Sequence, residues 1–254
     1  SAVVSKLGAQ VLSWVTPDGR ERLFLSDKAV FDGSVAIRGG IPVCWPQFAG
    51  LGELPRHGFV RTLPWQVSAQ RGGDDYALLT LEVADDATTR ALWPHAFRLE
   101  LTVMLETDRL DLELSVNNTG DSAFAFTGAL HSYLRVVQVE DVTLEGLYGH
   151  DYRDAAKGNV VVRDTGTHIA VEGEMDRVYR RVKRPQLLQA GNLSLAIPTG
   201  KLTVLMGPSG CGKSTLAKLM QGFYWPQEGQ ITLDGRDIRQ LAANELRATF
   251  GVVP

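Results

Sequence analysis

Two stretches near the middle of the chain alternate with a period of two. FRLELTVML (97–105) puts Phe97, Leu99, Leu101, Val103 and Leu105 on one face, and LDLELSV (110–116) does the same with Leu110, Leu112, Leu114 and Val116. Apolar residues at every second position, with polar residues between them, predict strands with one face on a core and the other toward water. The link Glu106–Arg109 is short enough for an antiparallel hairpin. A hairpin of this kind must find further strands to cover its apolar face, so it points to an antiparallel sheet protein.

The rest of the first two-thirds agrees. Further strands are expected at 9–15, 22–25, 64–69, 76–83, 124–130 and 159–163, with a short helix near 87–93. Asp18-Gly19, Asp32-Gly33, Gly72-Gly73 and Asn118–Gly120 punctuate them as turns. Many short strands with almost no helical periodicity predict a mainly β antiparallel sandwich over 1–180.

Near residue 180 the pattern changes. RRVKRP (180–185) is a basic run ending in Pro185, read as a solvated junction over 181–190. Beyond it an α/β pattern is expected. KLTVLM (201–206) and GQITLDG (229–235) read as strands, and 213–221 and 241–249 as helices. Between the first strand and helix lies GPSGCGKST (207–215), which fits the phosphate-loop spacing Gly207-x-x-x-x-Gly212-Lys213-Ser214. Glycines let backbone N–H groups converge on a phosphate, and the helix N-terminus adds positive potential. The nucleotide-binding set would be Gly207, Ser209, Gly210, Cys211, Gly212, Lys213, Ser214 and Thr215. Lys213 would reach the outer phosphates and Ser214 would ligate Mg²⁺.

The stretch 191–254 closely resembles the start of an ABC transporter ATPase domain, and is similar to exporters that pair each ATPase with a membrane domain. The resemblance implies ATP and Mg²⁺ as ligands. It also implies landmarks not found in these residues: an adenine-stacking aromatic strand, the LSGGQ signature, the catalytic Glu and the switch His. The expectation is therefore a partial α/β segment that supplies only the phosphate cradle.

A second constellation lies in the β part. VAIRGGIPVCWPQF (35–48), LPRHGFVRTLPW (54–65), LWPHAF (92–97), GALHSYLRV (128–136) and MDRVY (175–179) follow one another. Together and in this order they closely resemble the hexose-6-phosphate mutarotases (glucose-6-phosphate 1-epimerases) of the aldose epimerase group. The resemblance runs from residue 1 to about 179 and implies a galactose mutarotase-like supersandwich. It implies interconversion of the α and β anomers of a sugar phosphate, with no cofactor. An acid protonates the ring oxygen, a base takes the proton of the anomeric hydroxyl, and the ring opens and recloses on the other face.

By the same resemblance His131 is the acid, His57 contacts sugar hydroxyls, and Arg38 and Arg61 hold the 6-phosphate. Arginine suits that task because its fork makes charge-assisted pairs with phosphate oxygens. Arg56 ranks behind these and Asp176 behind Arg56. The family's base is a Glu on a late strand, in a region that the ATPase-like segment replaces here. Glu140, Glu145, Glu172 and Glu174 sit in no matching motif. The expectation is a fusion of two incomplete parts, with anomerase function impaired. The alternatives are an ATP-binding part of an exporter or an inactive fusion.

Bulk properties limit the partners. A formal net charge of −3 over 254 residues does not point to nucleic acid. The two cysteines, Cys44 and Cys211, are far apart, so a disulfide framework is not expected and a reducing cytoplasm is. No stretch approaches a membrane span, and the first residues do not read as a signal peptide.

Overall fold

A computed structural model describes residues 1–171, 173–182, 186–190, 193–197, 232–233, 236–237 and 239. Ser1–Arg135 belongs to one compact unit, and the described residues from Val136 onward that form the sheets below belong to a second. Every pairing between named strands is antiparallel.

In the first unit, β1 (Ala2–Val4) pairs with β2 (Val11–Trp14), and β3 (Val43–Cys44) waits for a partner much later in the chain. Then comes a four-stranded sheet: β4 (Gln66–Gly72), β5 (Ala77–Ala84), β6 (Phe97–Leu105) and β7 (Leu110–Asn118), in that spatial order. The expected hairpin is present with its register intact, Phe97 opposite Asn118 through Leu105 opposite Leu110. Phe97, Leu99, Leu101 and Val103 are buried, as the alternation requires. The second half of β6 departs from it, because Thr102 and Met104 on the opposite face are buried too. Thr102 meets Thr80 of β5 hydroxyl to hydroxyl at 3.1 Å, which satisfies both polar groups where water is excluded. At the edge, β4 is mostly exposed and polar, and a register shift between Val67 and Ala69 marks a bulge; both features discourage pairing with another chain.

The short helix is α1 (Ala87–Leu92). Asp86 caps it. Its carboxylate accepts from the Thr89 N–H at 2.7 Å while the Asp86 N–H donates to the Thr89 hydroxyl at 2.8 Å. This is a capping box with Thr in the place usually held by Glu or Gln.

Two expected strands shrink. The 124–130 segment keeps only β8 (Ala129–Leu130), which pairs with β3 as Val43 opposite Leu130 and Cys44 opposite Ala129. At 22–25 there are single bridges, Leu23 with Leu134 and Leu25 with Gly39, rather than a strand. The reason is in 37–40: Gly39 and Gly40 have φ of 114° and 61°, which bends the partner chain out of a continuous ladder. A Cβ on Gly40 would strike the Val11 carbonyl oxygen, so only glycine fits there.

The core of this unit packs Val11, Leu23, Ile41, Val43, Phe59, Trp65, Leu81, Phe97, Leu99 and Leu101 around Trp45. Trp45 is fully buried and touches the rings of Phe59, Trp93, Phe97, Phe124 and Phe126. Aromatic rings prefer these tilted and edge-on arrangements to flat stacking.

The second unit holds β9 (Val142–Glu145), β10 (Asp151–Asp154), β11 (Val160–Arg163), β12 (His168–Ala170), β13 (Arg177–Tyr179), β14 (Gln186–Ala190) and β15 (Leu193–Ile197). They form two sheets, β12-β9-β14-β15 and β11-β10-β13. Thr232–Leu233 and Arg236–Asp237 pair with each other. The span read as a junction therefore carries a strand: β14 runs beside β9, with Leu188 opposite Leu144. Across β10 and β13, Tyr152 stacks on Tyr179 at 5.0 Å and the Arg177 guanidinium lies 4.6 Å above the Tyr152 ring. The Tyr179 hydroxyl donates to the buried Asp164 at 2.5 Å. Burial first and that hydrogen bond second push the Tyr179 pKa up to about 12.

The expected strand 201–206, strand 229–235 as a whole, and helices 213–221 and 241–249 lie outside the described residues, as do Gly207, Ser209, Gly210, Cys211, Gly212, Lys213, Ser214 and Thr215.

Candidate functional site

The two-residue pairing of β3 with β8 brings two distant histidines together. β8 runs directly into His131, whose N–H donates to the Pro42 carbonyl at 3.0 Å. β3 runs through Trp45 and the cis peptide before Pro46 into a loop that returns at His57 and Gly58. The imidazoles of His57 and His131 meet edge to face, with ring centres 5.5 Å apart. His131 also leans on Tyr133 at 4.9 Å, and His57 on Phe48 at 5.4 Å.

His57 has φ of 67°, a left-handed conformation that a residue with a side chain adopts at a cost of order 1 kcal/mol or more. Gly58 follows with φ of 70°, and a Cβ there would strike the Trp45 carbonyl oxygen. The chain thus makes a tight left-handed corner that turns the His57 ring toward His131. Three hydrogen bonds hold the corner: His57 N–H to the Ala49 carbonyl at 3.0 Å, Gly58 N–H to Pro55 at 2.8 Å, and Ala49 N–H to His57 Nδ1 at 3.2 Å.

The last of these fixes the ring chemistry. Nδ1 accepts, so the neutral imidazole carries its proton on Nε2. Arg56 Nε stands 3.4 Å from Nε2. A guanidinium cannot accept, and this separation exceeds a normal hydrogen bond, so the contact acts as a nearby positive charge. Burial first, then Arg61, His131 and Arg56, hold the His57 pKa below 6.5. His57 is therefore a neutral donor and acceptor at neutral pH. His131 differs: its Nδ1 is buried and has no hydrogen-bond partner among the described residues. No protein hydrogen bond to that nitrogen dictates its tautomer.

Arg61 closes the group. Its guanidinium donates to the Arg56 carbonyl at 2.6 Å, which ties the short helical turn Val60–Thr62 to the His57 corner. Arg61 also pulls on Cys44 of β3, but burial dominates there and raises the thiol to about 11. Among the described residues Arg38, Arg56 and Arg61 form no ion pair with a carboxylate. Arginines without carboxylate partners are open to an anionic ligand. Arg38 is exposed, and its carbonyl accepts from Ser26 at 3.1 Å. It is not among the charges acting on His57, whereas the lower-ranked Arg56 is.

Sequence reasoning passed over two buried amides that hold these segments. Gln10 is fully buried and donates to the Ile37 carbonyl at 3.3 Å and the Gly39 carbonyl at 2.5 Å, one on each side of Arg38. Gln47 is 5% exposed and bonds within the His57 loop. Neither glutamine carries a signal in the sequence, because its value lies in which carbonyls come within reach of it.

Of the acidic residues considered, Asp176 offers its carbonyl to Ala155 at 2.7 Å and precedes β13. Glu145 lies on β9 opposite His168 and Leu187. Glu140 and Glu174 are exposed, and Glu172 lies outside the described residues. No helix of the described residues is long and apolar enough to cross a membrane.

The model of the aldose 1-epimerase family matches residues 1–194, and that of the ABC transporter family matches residues 190–254. A curated relative from Cenchrus ciliaris bears the name "Putative glucose-6-phosphate 1-epimerase"; it is 37% identical over 182 residues, covering 68% of this chain and 55% of its own length. The crystal structure of a "putative mutarotase" from Salmonella typhimurium has a TM-score of 0.68 and 33% identity, covering 74% of this chain and 62% of that one. At the other end, the mitochondrial iron-sulfur clusters transporter atm1 of Neurospora crassa is 56% identical over 63 residues, which is 25% of this chain and 9% of that protein. The chain spans about half the length of the curated epimerases it matches. The epimerase match reaches past the expected boundary at 180 and takes in β14, whose backbone extends the β9 sheet. With a mainly β antiparallel fold, mutarotase structures as neighbours and a family match over three-quarters of its length, this chain belongs to the aldose 1-epimerase family.

Proposed function

We propose that the chain is built to interconvert the α and β anomers of hexose 6-phosphates of the glucose 6-phosphate type. The observation that carries this reading is the edge-to-face pair His57–His131 beside Arg61 and Arg56. His131 is the acid that protonates the ring oxygen as the C1–O5 bond breaks. His57, neutral and protonated on Nε2, hydrogen-bonds sugar hydroxyls. Arg61 and Arg38 hold the 6-phosphate by charge-assisted hydrogen bonds. A base must take the anomeric hydroxyl proton for the ring to open, and that role is left unassigned. The resemblance to epimerases supports all of these roles, and the covered half of the relatives' length is where they lie. The layout proposed is an epimerase part over 1–180, a junction over 181–190 and an ATPase-like part over 191–254, in the cytoplasm.

Exchange between α- and β-glucose 6-phosphate, followed by NMR saturation transfer with the purified chain, tests this directly. Exchange above the buffer rate that disappears in His131→Ala supports the reading. A folded chain with no exchange above buffer removes it.

The ABC transporter match favours a second reading for the other end: nucleotide binding at Gly207–Thr215, with Lys213 on the outer phosphates and Ser214 on Mg²⁺. Calorimetric titration with MgATP, repeated on Lys213→Ala, tests it. Heat that is the same in both, or absent from both, argues against a working cradle.

A further inference from the structure

The loop that delivers His57 leaves and re-enters the fold at one point. Trp45 bridges Gly58, and the Phe59 N–H donates to the Trp45 carbonyl at 3.2 Å. No helix or strand occupies the residues in between, so their shape depends on bonds inside the loop. Most of those bonds converge on Gln47. Its Nε2 donates to the Ala49 carbonyl at 3.2 Å and to the Leu54 carbonyl at 3.0 Å, and its Oε1 accepts from the Leu54 N–H at 3.0 Å. Both amide protons are in use, so the end of the side chain has one orientation; turned over, its oxygen would face two carbonyls.

Ala49 is where this amide meets the site. It has φ of 53°, unusual for an alanine. Its carbonyl accepts from the His57 N–H as well as from Gln47, and its own N–H donates to His57 Nδ1. Gln47 and His57 thus hold the same residue from two sides. Gly52 supplies the room: a Cβ there would strike Gln47 Oε1.

We infer that Gln47 is the positioning residue of His57: it holds Ala49 so that the Ala49 N–H stays on Nδ1, and Nε2–H is left for the sugar. This rests on the reading of His57 as a sugar contact. Alone, the two neutral imidazole tautomers lie close in energy, so one directed backbone donor is enough to select between them. Gln47 touches neither reacting atoms nor phosphate in this account. Its effect passes entirely through Ala49.

The experiment uses the whole chain, labelled with ¹⁵N, as wild type, Gln47→Met and Gly52→Ala. Gln47→Met keeps the volume and removes every hydrogen bond. Gly52→Ala keeps Gln47 and pushes its amide aside, which covers the case in which Gln47→Met does not fold. Long-range ¹H–¹⁵N correlation of the His57 ring reads the tautomer without any substrate. The expected result is a single tautomer, proton on Nε2, in the wild type and a mixture in both variants. For glucose 6-phosphate, KM is expected to rise about fivefold, the scale of one hydrogen bond, with kcat changed much less. A folded variant that keeps the single tautomer and the wild-type KM overturns the inference. His57→Asn separates this from the underlying reading. If it leaves KM unchanged while Gln47→Met still mixes the tautomers, the positioning stands and the sugar contact falls.

Discussion

The β5–β6–β7 sheet and the segment from Arg38 to Arg61 lie in the same compact unit and are built by opposite means. The sheet is periodic: β6 pairs along its whole length on both sides, and its alternating apolar face is buried. The Arg38–Arg61 segment has only the two-residue β3 and a short helical turn. It is shaped by paired glycines, a left-handed His57 and buried amides reaching carbonyls. Periodic structure holds the core, and irregular structure aims the side chains. Substitutions in the two regions are therefore expected to separate stability from catalysis.

The sharpest break in that comparison is His131→Ala. Removal of a positioned acid is expected to lower kcat for anomer exchange by about 10²- to 10⁴-fold. Its unfolding midpoint in urea is expected to stay near wild type, because the ring leaves one buried nitrogen unpaired and contributes little to the core. Leu101→Ala is the converse. Leu101 is fully buried at the centre of β6, so the change is expected to destabilise by about 2–5 kcal/mol. Urea unfolding reads the loss, and exchange per folded molecule should be unaltered. A large fall in specific exchange for Leu101→Ala would mean the two regions are coupled through the core.

Arg61→Ala sharpens the comparison inside the irregular region. Loss of a charge-assisted bond of about 1.5–3 kcal/mol should raise KM for glucose 6-phosphate about tenfold or more. The rate with unphosphorylated glucose should hardly move. Equal losses on both sugars would place Arg61 in the architecture of the corner, through its bond to the Arg56 carbonyl, and not on the phosphate.

How much of this could be read in advance follows the same division. The Phe97–Leu105 strand was visible residue for residue, because burial on one face writes itself into every second position. Strands of two to four residues, such as β3, β9 and β13, are too short to show a period. The strand expected at 22–25 has the right residues, but Gly39 and Gly40 bend its partner away. In the site, His57, His131 and Arg61 were found through the motifs around them, and the structure groups all three. Arg56 was ranked too low, since only the fold shows its guanidinium beside the His57 ring. Gln10 and Gln47 were invisible, because no local pattern says which carbonyls a buried amide will meet.

The smallest expected effect concerns His57 and pH. Burial and the nearby cations depress its pKa in the folded chain below the 6.5 of an unperturbed imidazole. As pH falls through 6.5, the unfolded chain takes up a proton on this ring before the folded chain does. Stability therefore depends on pH with a positive slope in that window. The contribution is complete above the unfolded value and is lost as pH falls from there toward the folded value. His57 is only half-buried, so solvent screens the effect and the expected change in urea midpoint is slight. His57→Asn removes the titrating group. The difference between wild type and His57→Asn, followed from pH 7.5 to 5.5, should shrink in the acid direction if the ring is held neutral by its neighbours. A difference that grows instead would mean the folded state binds the proton more tightly, as an ion-paired histidine does, and the three cations around the ring could not then be its dominant surroundings.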